Sequence, residues 1–135
     1  MAVGVMLGMG GLAFRFVQYL YPVILPEKLV EVPACKLADI PAGGVRVVNL
    51  AEGPVILEST GSEIRAFSAI CTHLGCVVSY HDDKKELVCP CHGGRYDLDG
   101  KVTYGPPPRP LDKLEAKVKD GEVLVLMKSR KEEKV

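Results

Sequence analysis

The chain has 135 residues, with 17 basic and 17 acidic side chains and a formal net charge of zero. This length corresponds to one domain, and the balanced charge, without a basic stripe, argues against nucleic-acid binding. The function is therefore expected to reside in a local site.

The N-terminal segment is apolar. Residues 1–21 contain a single charged side chain, Arg15, and as a helix rising about 1.5 Å per residue they would be about 31 Å long. That length matches the roughly 30 Å hydrocarbon core of a membrane. A cleaved signal peptide is the alternative, but no basic region precedes the apolar stretch. We interpret residues 1–21 as a membrane anchor that ends before Pro22.

The next segment, residues 22–34, contains three prolines. They are Pro22, Pro26 and Pro33. Prolines at this spacing disfavour both a helix and a central strand. We predict an extended tether over 22–34, a folded head over 35–128, and a charged, frayed tail over 129–135.

The head is predicted to be all-β. Short apolar runs alternate with turn residues along it, at 44–50, 54–59, 64–70, 76–80 and 86–89. Residues 114–127 consist of two β-rich runs around Asp120-Gly121, which is a strong hairpin signal. A short helix within 35–43 is compatible with the sequence.

Two short motifs contain four of the five cysteines and two of the three histidines. They read CTHLGC at residues 71–76 and CPCHGG at residues 89–94. A structural zinc site is one interpretation, although zinc sites usually pair two closely spaced cysteines with two closely spaced histidines. One cysteine and one histidine from each loop favour a dinuclear cluster instead. Cys71 and Cys89 would bind one iron, and His73 and His92 the other.

Both motifs resemble those of the Rieske [2Fe–2S] proteins, in the branch that belongs to quinol-oxidising cytochrome bc complexes. The family pattern matches at all six cysteine and histidine positions of the two motifs. GPPPRPL at 105–111 resembles the proline-rich loop that covers the cluster, and YLYPVILP resembles the junction between helix and hinge. The resemblance implies a Rieske-type antiparallel β-sandwich with two cluster-binding loops. It also implies a disulfide between Cys76 and Cys91 and a hydrogen bond from Tyr96 to a ligand cysteine.

The function implied by the resemblance is electron transfer within a membrane complex. A quinol bound to a cytochrome b subunit would give one electron to the cluster and one proton to an exposed histidine ligand. His92 is the first choice for this quinol contact and His73 the second. The head would then pass the electron to a c-type haem. The chain would be a single-pass inner-membrane protein of a dimeric complex, with its head on the extracytoplasmic side.

One position departs from the pattern of the high-potential Rieske proteins. Gly94 stands where those proteins have a serine whose hydroxyl donates to a bridging sulfide, whereas Tyr96 is retained. Because a hydrogen bond to a charged sulfur stabilises the reduced cluster, its loss lowers the potential. The departure favours menaquinol over ubiquinol or plastoquinol as the substrate, unless another donor compensates.

Two other functions of a Rieske protein are compatible with parts of the sequence. One is the small subunit of a molybdenum oxidase such as arsenite oxidase, which usually has a twin-arginine leader. The other is a ferredoxin that serves an oxygenase, a branch that lacks the cysteines equivalent to Cys76 and Cys91. Among the remaining residues, His81 is interpreted as an exposed turn residue and Cys35 as a small core residue.

Overall fold

The computed structural model describes residues 10–17, 19 and 29–129. Residues 10–17 and 19 are helical. Within these described ranges, no helix is long and apolar enough to cross a membrane. The rest of the predicted anchor, residues 22–28 of the predicted tether and residues 130–135 of the predicted tail lie outside the described residues.

The head is built from short strands and one 3₁₀ turn. The strands are β1 (Leu29–Lys36), β2 (Val45–Leu50), β3 (Gly53–Ser59), β4 (Ile64–Ser68), β5 (Ser79–His81), β6 (Glu86–Val88), β7 (Arg95–Tyr96), β8 (Val102–Tyr104), β9 (Lys113–Lys119) and β10 (Glu122–Lys128). The 3₁₀ turn covers Leu37–Asp39, within the segment where the sequence permits a short helix. The predicted all-β head is confirmed.

The strands form two antiparallel sheets. The larger sheet has six strands in the order β1-β10-β9-β4-β3-β2, and the smaller has four in the order β5-β6-β7-β8. The predicted hairpin is β9–β10, in which Lys119 pairs with Glu122 across the Asp120-Gly121 turn. Both turn residues have positive φ, 52° and 78°, as the tight turns that match strand twist require.

The first strand begins earlier than the predicted start of the head at residue 35. β1 starts at Leu29 and pairs with β10, so residues 29–34 of the predicted tether belong to the sheet. Two features reconcile this strand with its proline. β1 lies at the edge of its sheet, and the register shifts between Pro33 and Cys35. Proline is tolerated at such edges and bulges, because the missing N–H does not interrupt an interior ladder.

The larger sheet separates two hydrophobic cores, because successive residues of a strand point to opposite faces. On β3, Ile56 lies in the core beneath the two cysteine-containing loops, whereas Val55 and Leu57 lie in the other core. Phe67 of β4 pairs with Ile56 and is also in the first core. The two motifs therefore rest on a packed face of the sheet.

Candidate metal centre

The two motifs form loops with equivalent backbone hydrogen bonds. In the first loop, the N–H of Cys71 donates to the carbonyl of Cys76 at 2.8 Å, and the N–H of Gly75 donates to the carbonyl of Cys71 at 3.0 Å. In the second loop, the N–H of Cys89 donates to the carbonyl of Gly94 at 2.8 Å, and the N–H of Gly93 donates to that of Cys89 at 3.1 Å. Each loop thus holds its first cysteine at the same place in the same kind of turn.

A disulfide joins the loops. Cys76 and Cys91 are bonded, with Cα atoms 6.5 Å apart and a sequence separation of 15 residues. This is the pairing that the resemblance implies. The Sγ atoms of Cys76, Cys89 and Cys91 lie within 4.8 Å of one another. Since two of these sulfurs are bonded to each other, only Cys89 of this group has a thiol free for a metal.

The two free thiols of the motifs lie in the same buried core. Cys71 and Cys89 are 3% and 2% exposed, and each thiol influences the pKa of the other. Burial raises the pKa of the Cys89 thiol, and the neighbouring Cys71 adds to this increase. Burial also acts to raise the pKa of Cys71, but hydrogen bonds from Tyr96 and from the backbone of His73 outweigh it, so that its pKa is lowered. Cys71 is therefore the thiol whose anion this site stabilises more.

Tyr96 on β7 is fully buried beside the first loop. Its hydroxyl lies 3.3 Å from Sγ of Cys71 and accepts the backbone N–H of Thr72 at 3.2 Å. Burial raises the pKa of the Tyr96 hydroxyl, and the bond to Cys71 raises it further. A neutral phenol at this distance is suited to donate to a thiolate sulfur.

The histidines of the two loops lie next to each other. The ring centroids of His73 and His92 are 4.9 Å apart, with the rings nearly perpendicular at 84°. His73 is half-buried, whereas His92 is exposed. Nδ1 of His73 is buried and has no hydrogen-bond partner among the described residues. A buried ring nitrogen that makes no hydrogen bond costs free energy unless another group, such as a metal, binds it.

The chemistry of this donor set therefore fits a [2Fe–2S] cluster. Two buried thiols can serve as thiolate ligands, and two imidazoles from the same loops lie adjacent to each other. A structural zinc site would use the same four groups, so the donor set by itself does not separate these metals. A hydrogen bond from Tyr96 to a sulfur ligand can tune the reduction potential of an iron cluster. Zinc has no redox chemistry, so such tuning would have no role at a zinc site.

The proline-rich loop, residues 105–111, packs on the second loop. Gly105 has a φ of 92°, and a Cβ atom there would lie 3.0 Å from Cα of Gly94. A Cβ atom on Gly94 would lie 2.7 Å from Cγ of the buried Pro107. The two backbones can approach this closely only because both positions are glycine.

The same loop is bonded to the first cysteine-containing loop. The Thr72 hydroxyl donates to the carbonyl of Arg109 at 2.7 Å. Thr72 was not among the site residues predicted from the sequence, since a threonine between two ligand candidates has no signature of its own. Three apolar side chains in or directly next to the first cysteine-containing loop are exposed, namely Ile70, Leu74 and Val77.

The other two residues considered from the sequence lie in β-strands. His81 is exposed at the end of β5, and its Nδ1 is 4.0 Å from a carboxylate oxygen of Asp83. Cys35 is half-buried in β1 and packs against the core on the far face of the larger sheet. Burial raises the pKa of its thiol, partly offset by Arg46.

Residues 30–128 match the family model described as the Rieske [2Fe-2S] domain. The chain belongs to the Rieske [2Fe–2S] family. A Rieske-type [2Fe–2S] cluster is therefore its cofactor, and the zinc interpretation is set aside.

Curated and solved members of the Rieske family extend the comparison. The chain is 36% identical over 113 residues to the cytochrome b6-f complex iron-sulfur subunit of Chlorobaculum tepidum, covering 83% of this chain and 62% of that protein. Among solved structures it resembles the plasma membrane Rieske protein of Synechocystis PCC 6803, with TM-score 0.60, 34% identity and coverage of 70% and 97%. It also resembles a chain of a hyperthermophilic respiratory Complex III, with TM-score 0.54, 28% identity and coverage of 90% and 94%. The chain spans about three fifths of the length of the curated relatives that it matches over most of its own length.

Proposed function

We propose that this Rieske protein is the iron–sulfur subunit of a cytochrome bc-type, quinol-oxidising membrane complex. The observation that carries the proposal is the disulfide between Cys76 and Cys91. Disulfides persist in oxidising compartments and are rare in the cytosol, where oxygenase ferredoxins work. The proposal is also supported by the similarity to a cytochrome b6-f iron-sulfur subunit over 83% of the chain.

We assign Cys71 and Cys89 to one iron and His73 and His92 to the other. When bound, such a cluster supplies one-electron redox chemistry at about −150 to +300 mV. The buried thiols are suited to the iron that is shielded from water. Histidine ligands at the loop tips leave the second ring nitrogen free to exchange a proton with a substrate.

The proposed substrate contact is His92. Its ring is exposed, whereas the ring of His73 is half-buried, so His92 is the more accessible imidazole. A ring nitrogen of His92 would accept a hydrogen bond from a quinol hydroxyl and take its proton as one electron leaves the quinol. The exposed apolar side chains of Leu74 and Val77 lie on the neighbouring loop and suit contact with an apolar ring and a membrane subunit. Gly94, which lacks the serine hydroxyl, supports menaquinol as the substrate.

The electron would then pass to a c-type haem, and a cytochrome b subunit would hold the quinol, in a dimeric complex. We propose residues 1–21 as the anchor in the inner membrane and place the head on the extracytoplasmic side. Residues 22–28 remain available as the tether, since β1 begins at Leu29. An oxidising environment for the disulfide supports this sidedness.

Isolation of the tagged full chain from the membranes of its own organism tests the proposed function. We expect haem b and haem c to co-purify and the Rieske EPR signal to appear when a quinol is added. A chain that co-purifies with molybdenum, or with a soluble oxygenase and no haem, would contradict the proposal in favour of one of the two alternative functions.

The ligand assignment is tested separately. His73→Ala and His92→Ala should each abolish the g ≈ 1.9-type Rieske EPR signal, because each removes a ligand. His81→Ala is the matched control, since His81 is exposed in β5 and should leave the signal unchanged. A signal that survives either of the first two substitutions would show that the ligand set is wrong.

A further inference from the structure

Thr72 lies where three hydrogen bonds meet beside a proposed ligand. Its hydroxyl donates to the Arg109 carbonyl at 2.7 Å, and its backbone N–H donates to the Tyr96 hydroxyl at 3.2 Å. Oγ1 of Thr72 is also 3.3 Å from the Tyr96 hydroxyl, the same distance that separates this hydroxyl from Sγ of Cys71. Each of the two hydroxyl groups has one proton, and this limits which hydrogen bonds can form at the same time.

A carbonyl oxygen cannot donate, so the one hydroxyl proton of Thr72 is used on Arg109. Toward Tyr96, Oγ1 of Thr72 can therefore act only as an acceptor. Tyr96 has a single hydroxyl proton and two acceptors at 3.3 Å, the sulfur of Cys71 and Oγ1 of Thr72. The threonine thus competes with the ligand sulfur for the tyrosine proton.

The outcome of this competition depends on the proline-rich loop, because Arg109 belongs to it. When the loop moves away, the hydroxyl of Thr72 loses its acceptor and can turn its proton to Tyr96. Tyr96 must then direct its own proton to Cys71. A donor to a ligand sulfur favours the reduced cluster, which bears the extra negative charge.

We propose that Thr72 is a positioning residue that couples the placement of the proline-rich loop to the reduction potential through the Tyr96 proton. The loop, when seated on Gly94, lets Thr72 share that proton and lowers the potential. When a docking partner displaces the loop, the potential rises. The inference depends on the cluster and on Cys71 as its ligand, and it is independent of the quinol reaction.

The size of the effect follows from the number of acceptors. If the oxidised cluster leaves the two acceptors equally favourable, the second acceptor doubles the statistical weight of the oxidised state. The reduced cluster directs the proton to the sulfur, so that state gains nothing from Thr72. Removing the second acceptor therefore raises the one-electron equilibrium constant about twofold, which is about 18 mV at 59 mV per tenfold change.

The experiment is a double-mutant cycle on the cluster-loaded full chain, with potentials from dye-mediated titration followed by circular dichroism. Thr72→Val should increase the equilibrium constant for reduction about twofold and so raise the potential. Thr72→Ser should leave the potential unchanged. In a Tyr96→Phe background, Thr72→Val should have no effect, since no shared proton remains. Thr103→Val, at an exposed threonine of β8, is the matched control and should change nothing.

Thr72→Ala carries the same expectation as Thr72→Val and only removes atoms. An equal shift in the presence and absence of the Tyr96 hydroxyl would overturn the inference, because a merely structural role of Thr72 does not need that proton. So would a lowered or unchanged potential in Thr72→Val, or loss of the cluster in both variants while Thr72→Ser retains it. None of these measurements involves quinol, so the proposed function can fail or stand independently.

Discussion

Introducing a serine at position 94 tests how one glycine affects both the redox potential and the packing of the proline-rich loop. Gly94 is not among the described glycines with positive φ, so its backbone conformation accepts a serine. The obstacle is Pro107. A Cβ atom at position 94 would lie 2.7 Å from Cγ and 3.0 Å from Cδ of that proline.

A serine at position 94 has two effects of comparable free energy: a new hydrogen bond to the cluster and overpacking against Pro107. A hydroxyl that donates to a charged acceptor contributes about 1.5–3 kcal/mol. At about 59 mV per tenfold change, this corresponds to a potential higher by about 60–130 mV. Overpacking costs about 1–3 kcal/mol, and the ring of Pro107 cannot rotate away from the new atom. We expect Gly94→Ser alone to lower the stability and to yield less than the full increase in potential, because the clash with Pro107 shifts the new hydroxyl away from its best position for donation.

Gly94→Ser combined with Pro107→Ala should give the full increase without the loss of stability. The assay is protein-film voltammetry of the cluster-loaded chain, with thermal unfolding followed by circular dichroism. Pro107→Ala alone measures the effect of opening the loop. Gly94→Ala with Pro107→Ala supplies the Cβ atom without the hydroxyl and so isolates the hydrogen bond.

Two results would contradict this prediction. If Gly94→Ser alone reaches the full increase at an unchanged Tm, Pro107 does not oppose a side chain at position 94. If the serine and alanine double variants have the same potential, the hydroxyl makes no bond to the cluster and Gly94 does not account for a low potential.

Two further predictions concern the disulfide and the tyrosine. Replacing Cys76 and Cys91 together by serine avoids a lone thiol beside Cys89 and should cost about 3 kcal/mol of stability, the value for a 15-residue loop. Iron release measured over time should be faster although the cluster still assembles, and free-thiol labelling of both cysteines in the native protein would contradict this. Tyr96→Phe should lower the potential by about 60–130 mV, since a donor to sulfur is removed while the ring remains. It should also lower the unfolding free energy by about 1–3 kcal/mol, because the N–H of Thr72 loses its acceptor; an unchanged potential would show that the hydroxyl does not donate to Cys71.

The strands could be predicted, and the candidate site residues could be proposed, because their signals are local. Alternating apolar residues and the Asp120-Gly121 turn indicate the β9–β10 hairpin without reference to any other part of the chain. The cysteines and histidines are likewise identified by residue type and spacing within two hexapeptides. The start of β1 could not be predicted in this way. Pro33 is compatible with a strand only at a sheet edge, and edges are defined by the whole sheet.

The all-β head and the suitability of two cysteine–histidine motifs for a dinuclear iron cluster can be inferred from local sequence patterns, because periodicity and ligand chemistry depend on near neighbours. The groups that surround the proposed ligands become known only from the folded chain. Thr72 and Arg109 are 37 positions apart, and Cys71 and Tyr96 are 25 apart. Their bonds exist because two sheets pack around one core and bring three loops together. Gly94 shows the same dependence. The sequence identifies the missing hydroxyl, whereas only the fold shows that Pro107 occupies the space that a side chain at position 94 would need.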